Sequence, residues 1–492
     1  MRWFSDPGYW LSRLVFTRGL ALVYLIAFVV AANQFRALIG ERGMLPVPRF
    51  VERTTFRRSP SLFHLHYSDR FFAVCCWTGA GCAVAALVGA VDAAPLWGWI
   101  LVWLALWFGY LSIVNVGQVW YSFGWESLLL ECGFLAVFLG PAATDPPRLV
   151  LWLLRWLLFR LEFGAGLIKL RGDSCWRDLT CLYYHHETQP MPNPMSRRFH
   201  HLSRRLHRIE ALGNHVTQLV VVVVVFAPQP AASVAALIVI VTQAWLMSSG
   251  NFAWLNLLTI VIALSAVDGH LLGEVIRLRA PSHLASPTWF TAVVIALSAA
   301  VLVLSYWPIR NMLSGRQRMN ASFNPYHLVN TYGAFGHVTR IRHEVVIEGT
   351  DDPQPGPDTE WKEYEFKGKP GDPRRRPRQV APYHLRLDWL MWFAGISLAY
   401  ARAWLPQLMV KLCQNDAATL KLLRSSPFVD SPPAFVRARL FRYRYTDAAE
   451  HREKGAWWDR APVGELDRVG GSVAPGPAQA TTGTRPEDDP LP

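Results

Sequence analysis

The chemistry-bearing residues are concentrated between Phe159 and Met195, in FRLEFGAGLIKLRGDSCWRDLTCLYYHHETQPMPNPM. An apolar run, interrupted by Glu162 and the pair Gly164 and Gly166, ends at Lys169 and Arg171. A lysine at such a junction either snorkels its amine to the head groups or, desolvated, has a depressed pKa and acts as a general base. The glycines favour close helix packing around it. Cys175 and Cys181 follow, six positions apart, as a disulfide or as free thiols. His185, His186 and Glu187 carry ligand atoms, but adjacent histidines diverge in regular structure. With no third ligand at a defined spacing, no metal is expected. The QPMPNP turn shapes a rigid loop, so Arg171, Asp173, Trp176, Arg177, Asp178, Tyr184, His186, Glu187, Gln189 and Asn193 read as a surface for a partner protein. The chain lacks a G-x-S-x-G elbow, a Walker motif and a GxGxxG opening a helix. It therefore does not read as a lipase of the usual hydrolase kind; a non-enzymatic role is favoured over an enzymatic one, and no cofactor is expected.

The elements that position this stretch are membrane helices. The chain has 492 residues, 52% of them hydrophobic, with 22 Trp and a formal net charge of +13; its mean hydropathy is +0.17. Apolar runs of roughly 18 to 22 residues match a hydrocarbon core of about 30 Å. The basic excess lies in loops beside apolar spans, and no nucleic-acid motif accompanies it. It therefore points to contact with anionic membrane lipids rather than to nucleic acid. Of the seven cysteines, Cys75, Cys76, Cys82 and Cys132 fall inside apolar runs as packing residues. Met1–Trp10 is aromatic and polar, and no cleavable leader is expected.

In chain order, Met1–Arg18 reads as an interfacial lead, with Trp3, Phe4, Tyr9 and Trp10 at head-group depth. Nine spans follow at about Gly19–Phe35, Phe71–Val91, Leu96–Val116, Val119–Leu139, Leu149–Leu170, Asn214–Ala227, Ala231–Met247, Phe252–Val267 and Trp289–Trp307. Glu126, Glu131, Arg155, Arg160 and Glu162 are intramembrane charges that must pair or line a cavity; Glu131 with Arg155 or Arg160 is the expected pair. Between spans five and six, MSRRFHHLSRRLHRIEAL reads as a basic amphipathic helix on the membrane surface. Asn214, His215, Ser249 and Asn251 read as caps at span ends.

After Trp307 the pattern changes. Phe323–Ile347 and Glu360–Phe366 alternate like strands; HEVVIEGT and EWKEYEFK suit an antiparallel hairpin joined by DDPQPGPD. FVRARLFRYRYT reads as another strand. His384–Trp404 reads as an aromatic helix on the membrane face, with a tenth span as the alternative. From Gly464 the composition is too poor in apolar residues to pack. The expected fold is a polytopic α-helical bundle of about eight to nine spans, followed by a smaller soluble β-containing (α+β) domain and a disordered tail. The domains are 1–307, with a central polar loop at 171–213, then 308–463 and 464–492. The basic segments fall on one side, which the positive-inside rule would place in the cytoplasm.

FGAGLIKLRGDSCWRDLTCLYYHHETQPMPNP resembles the signature stretch of the lipase maturation factor family. SSGNFAWLNLLT, NTYGAFGHVTRIRHEVVIEG, WKEYEFKGKPGDPRRRP, PYHLRLDWLMWFA and PPAFVRARLFRYRYT extend the resemblance over most of residues 1–460. It implies a membrane chaperone for folding and maturation of secreted lipases, held in the endoplasmic reticulum in eukaryotic relatives, with the central loop and C-terminal domain in the lumen. A Cys175–Cys181 disulfide would suit that oxidising side. The Arg- and Ala-rich, lysine-poor composition suggests a bacterial source, which would place the protein in the plasma membrane. Homo-oligomerisation is compatible with the sequence. AGLIKLRGDSCW is also similar, more distantly, to the membrane domain of the vitamin K-dependent gamma-carboxylase family. That likeness implies an alternative: a membrane enzyme acting on a quinol-like substrate with Lys169 as base. A third reading is a thiol-redox helper using Cys175 and Cys181.

Overall fold

The computed structural model describes residues 4–278, 280–281 and 286–470. Trp3 and the tail beyond Gly470 lie outside the described residues. Helix α1 (Trp10–Leu38) is one continuous rod, so the expected interfacial lead is corrected from Trp10 onward. The helix need not break at Arg13, because its guanidinium is buried and donates to the carbonyls of Thr144 at 2.6 Å and Ala142 at 3.2 Å. Phe4, Tyr9 and Trp10 are buried in protein rather than set at head-group depth.

Helix α2 (Asp69–Val88) starts at Ser68, whose hydroxyl accepts from the Phe71 amide. It stops at Gly89, whose φ of +94° suits a residue without a Cβ. Helix α3 (Leu96–Val116) matches its predicted bounds. Helix α4 (Gly124–Ala136) has 13 residues, about 20 Å of rise. Helix α5 (Arg148–Arg171) carries the charged positions 155, 160, 162 and 169. The central loop contributes the short α6 (Leu182–Thr188). Then come α7 (Arg204–Leu219), extended by a tighter turn to Phe226, α8 (Ala231–Ser249), α9 (Leu255–Leu264) and α10 (Thr288–Leu304).

Among the described residues, six helices are long and apolar enough to cross a membrane. They are Pro7–Leu38, Asp69–Val88, Leu96–Val116, Arg204–Phe226, Ala231–Ser249 and Thr288–Leu313. A seventh arises if α9 and Gly269–Val275, bent by 110° between them, form one broken span. The expected fourth and fifth spans fall outside this set because α4 is short and α5 is charged.

Helix α7 corrects the expected surface helix. Its first residues are the polar end of a helix, Arg204–Phe226, that is long and apolar enough to cross a membrane, and beyond them the inner face is the polar one. His207, Ala211, Asn214, His215 and Gln218 face inward, while Leu206, Ile209, Leu212 and Val216 are exposed. Arg204, Arg205 and Arg208 are exposed too, so the outer face is basic over the first turns and apolar beyond them.

The C-terminal part is built on a four-stranded antiparallel sheet of order β2-β1-β5-β6. The strands are β1 (Arg342–Thr350), β2 (Lys362–Glu363), β5 (Phe435–Tyr445) and β6 (Trp458–Gly470), with β3 (Glu365–Phe366) and β4 (Leu423–Ser425) paired separately. The expected hairpin is minor: β1 meets β2 only at Glu348↔Glu363 and Gly349↔Lys362, and pairs along its whole length with β5. The strand-like reading of 323–341 is also corrected. His327, Val329 and Phe335 have positive φ there, and the segment is irregular. In β5 the burial alternation slips one position near Arg439, where the pairing with β6 is irregular. Strand β6 runs along β5 to the pair Phe435↔Gly470, so residues 464–470 are ordered by backbone pairing despite their polar composition.

Helix α11 (Arg386–Ile396) is neither a span nor a membrane-face helix. Eleven residues rise about 16 Å, and the helix is buried between β1 and the membrane bundle. Asp388 accepts from the amides of Gly368 at 2.6 Å and Lys369 at 3.0 Å. Arg386 donates to Glu126 and to the Trp120 carbonyl, both at 2.7 Å, and the Glu126 carboxylate also accepts from the Tyr110 hydroxyl at 2.5 Å. Gln34, near the end of α1, donates to the His384 carbonyl at 2.7 Å. The sheet part is thus keyed into one end of the bundle through fully buried charges. Either Glu126→Gln or Arg386→Met should lower stability by about 3 kcal/mol, since each strands a buried polar partner. The double substitution should cost less than the sum of the two. Denaturant unfolding of the detergent-purified protein measures both.

Candidate functional site

The central loop folds through local capping and a covalent link. Asp173 caps the turn Ser174–Arg177, its carboxylate accepting from the Cys175 amide at 3.1 Å. Cys175 and Cys181 are joined in a disulfide. The amides of Thr180 and Cys181 close on the Cys175 carbonyl at 2.8 and 3.2 Å. Trp176, Leu182, Ala211 and Val338 pack against the two cysteines in a small core of their own.

Lys169 lies beneath this core. Arg155, Glu162 and Lys169 are seven residues apart, which sets them along one face of α5. Arg155 donates to the Tyr9 hydroxyl at 2.6 Å, and Glu162 accepts from Gln243 at 2.5 Å, with Asn256 behind it. Lys169 donates to Gln218 of α7 at 3.0 Å, and its ammonium sits 5.1 Å from the centre of the Trp176 ring. The amine is buried and does not snorkel. On another face of α5, Arg160 pairs with Glu131 and donates to the Asn330 carbonyl at 2.6 Å; of the two expected arginine partners, Arg160 is the one used. The two glycines let the helix approach its neighbours. A Cβ on Gly164 would stand 2.5 Å from the Tyr332 carbonyl oxygen, and one on Gly166 2.7 Å from Leu219. An apolar groove of about 320 Å³ opens between Phe134 and Leu135 of α4, with Phe138 just beyond its end, and Val293, Leu297 and Val301 of α10. Glu131 lines it and Lys169 does not.

The residues nominated as a partner surface divide into two groups. Trp176, His186, Gln189 and Asn193 are buried, and the polar atoms of Trp176, Gln189 and Asn193 are largely used inside the protein. Trp176 donates to the Phe335 carbonyl at 2.7 Å. Gln189 donates to Ser196 and to the Ser249 carbonyl, both at 2.9 Å, and Asn193 to the Ser248 carbonyl at 3.0 Å. Burial takes these four out of direct reach of a partner. Arg171, Arg177 and Asp178 are exposed, and Asp173, Tyr184 and Glu187 are half-buried. Asp173 is engaged with Arg340, and Glu187 accepts from the Tyr445 amide at 2.8 Å. Burial pushes the Glu187 carboxyl up, and burial with the neighbouring histidines pushes the His200 imidazole down to about 3.

Sequence reasoning missed the residues that hold the loop to the sheet. Arg342 of β1 donates to the carbonyls of Glu187 at 2.9 Å and Gln189 at 2.5 Å, and it pairs with Glu344. Arg197 donates to the Thr446 carbonyl at 2.9 Å. Asn251 is not a helix cap: it donates to the Pro192 and Arg378 carbonyls and accepts from the amides of Val380 and Ala381. Ser249 joins the same network, while Asn214 and His215 lie inside α7; none of the four caps a span. Arg342 was hidden in a strand-like alternation that carries no sign of its partners.

The family model "Lipase maturation factor transmembrane domain" matches residues 11–274, and "Lipase maturation factor C-terminal domain" matches 328–467. The chain belongs to the lipase maturation factor family. It is 42% identical to lipase maturation factor 1 of Bos taurus, over 93% of this chain and 88% of that protein. Against the Homo sapiens protein of that name the identity is 41%, over 93% and 87%. Lipase maturation factor 2 of Homo sapiens is 28% identical, over 93% and 82%. These relatives are animal proteins, so the expectation of a bacterial source and of a bacterial plasma membrane finds no support in them. No solved structure matches the chain.

Two tests follow from the loop geometry. Replacing Cys175 and Cys181 by serine should lower stability by about 2 kcal/mol, the loop-entropy term for so short a ring; chemical denaturation measures it. Arg340 hydrogen bonds hold the Asp173 carboxyl down to about 2, so ionised Asp173 stabilises the fold above the unfolded-state value near 4. That contribution disappears as pH falls from about 4 through about 2. Because Arg340 is well exposed, it is under about 1 kcal/mol. Asp173→Asn should flatten the stability profile over that window.

Proposed function

We propose that this chain is a membrane-embedded maturation factor that assists folding and assembly of a secreted lipase. The reading is carried by the 42% identity to lipase maturation factor 1 of Bos taurus across 93% of the chain. The fold is compatible with it. The central loop and the sheet part are fastened together at one end of the bundle, and together they offer a rigid face to a folding client. Arg171, Arg177 and Asp178 are its accessible loop residues, with Asp173, Tyr184 and Glu187 at its edge. Helix α5 crosses the membrane with its charges met by Tyr9, Glu131, Gln243 and Gln218, which brings the count of spans above six. The outward apolar residues of α7 contact lipid. The protein resides in the endoplasmic reticulum membrane, with the loop and the sheet part in the lumen, where the Cys175–Cys181 disulfide persists.

The decisive experiment is complementation in cells devoid of their own lipase maturation factors. Co-expressing this chain with a secreted lipase should raise lipase activity in the medium several-fold while lipase synthesis stays constant. Equal activity with and without the chain refutes the proposal. A glycosylation acceptor placed beside Arg177 should be modified in the same cells, and labelling of that position from the cytosol would reverse the orientation.

A further inference from the structure

Helix α6 and the first turns of α7 bring His186, His207 and Glu210 together. One ligand atom from each lies within 4.8 Å of the other two. His186 Nε2 is 3.7 Å from a Glu210 oxygen, and His207 Nδ1 is 3.9 Å from the same oxygen. These separations are too long for hydrogen bonds. They lie a few tenths of an ångström beyond the roughly 3.3 Å between ligand atoms around tetrahedral zinc. The two histidine side chains are 1% and 2% exposed, and the glutamate 11%, so water does not supply the partners they lack. Both ring nitrogens of His186, Nδ1 of His207 and Oε2 of Glu210 are buried with no hydrogen-bond partner.

The outer contacts fix which atoms point inward. His207 Nε2 lies 3.2 Å from the His200 carbonyl oxygen. A carbonyl cannot donate, so Nε2 carries the proton, and in the neutral ring Nδ1 presents a lone pair toward Glu210. The other Glu210 oxygen accepts from the Trp245 indole at 2.8 Å, leaving Oε2 free. Three electron-rich atoms thus converge in a largely dry pocket, each of α7's two ligands oriented by a hydrogen bond from outside. This is the arrangement of an imidazole and carboxylate site with its supporting shell.

We propose that His186, His207 and Glu210 bind a divalent transition metal, with zinc the best match to two imidazoles and one carboxylate. The ion clamps the central loop to helix α7. The sequence hides this site because His186 lies 21 residues before His207 and no ligand spacing connects them.

The test uses the full chain purified in detergent without a polyhistidine tag. Elemental analysis should find about one zinc per chain, or a stripped sample should take up one equivalent of added zinc. Added cobalt should give visible d–d bands. Glu210→Gln keeps the shape and the Trp245 contact and removes the charge; it should weaken zinc binding at least tenfold in a chelator competition. Trp245→Phe, at an exposed position, should weaken it about tenfold by releasing the carboxylate. His64→Ala, far from the cluster in sequence and bonded to Ser59, should change nothing. Zinc uptake below one tenth of an equivalent by the folded wild-type chain overturns the proposal. So does an affinity unchanged in folded Glu210→Gln.

Discussion

The buried contact between Glu126 and Arg386 is the constraint on which the architecture turns. A carboxylate and a guanidinium, both fully buried, are tolerable only together and only with their remaining hydrogen-bonding capacity met. Here the Tyr110 hydroxyl and the Trp120 carbonyl meet much of it. Because the two residues come from opposite halves of the chain, this local requirement fixes where the sheet part sits. Helix α11, short and aromatic, is placed by that requirement rather than by its hydrophobicity. The Trp125, Trp254 and Trp389 rings around His384 then fill the volume beside the pair.

The same logic recurs along α5. Each charge that would be costly in hydrocarbon is given a partner from elsewhere: Tyr9 for Arg155, Glu131 and Asn330 for Arg160, Gln243 for Glu162, Gln218 for Lys169. Lys169 is held by a side-chain amide and an indole face. The loop above it is covalently closed, and its inner residues are bonded to β1 and to the segment between α8 and α9. Rigidity of this kind lets a few exposed side chains keep a defined spacing.

Much of the membrane part was legible in the sequence because apolar runs report burial in lipid directly. Leu96–Val116 and Ala231–Ser249 needed nothing more. Reading failed where the surroundings invert the usual rule. Leu206, Ile209 and Leu212 alternate with His207, Glu210 and Ala211 as in any amphipathic helix, and the pattern alone cannot say which face meets lipid. Strand β6 was invisible because its order comes from the backbone of β5, whereas its own residues are polar. The partner surface was overdrawn for a related reason. Trp176, Gln189 and Asn193 have the polar atoms of contact residues, but those atoms are spent on carbonyls far away in sequence.

The pairing of Glu126 with Arg386 also has a meaning in time. The two residues are separated by 260 positions, and a chain emerging from a ribosome places the carboxylate in the bundle long before its counterion exists. Until then the Tyr110 hydroxyl is the partner that its own half of the chain offers the carboxylate. Full pairing of the bundle's buried acid therefore waits until translation has passed Arg386.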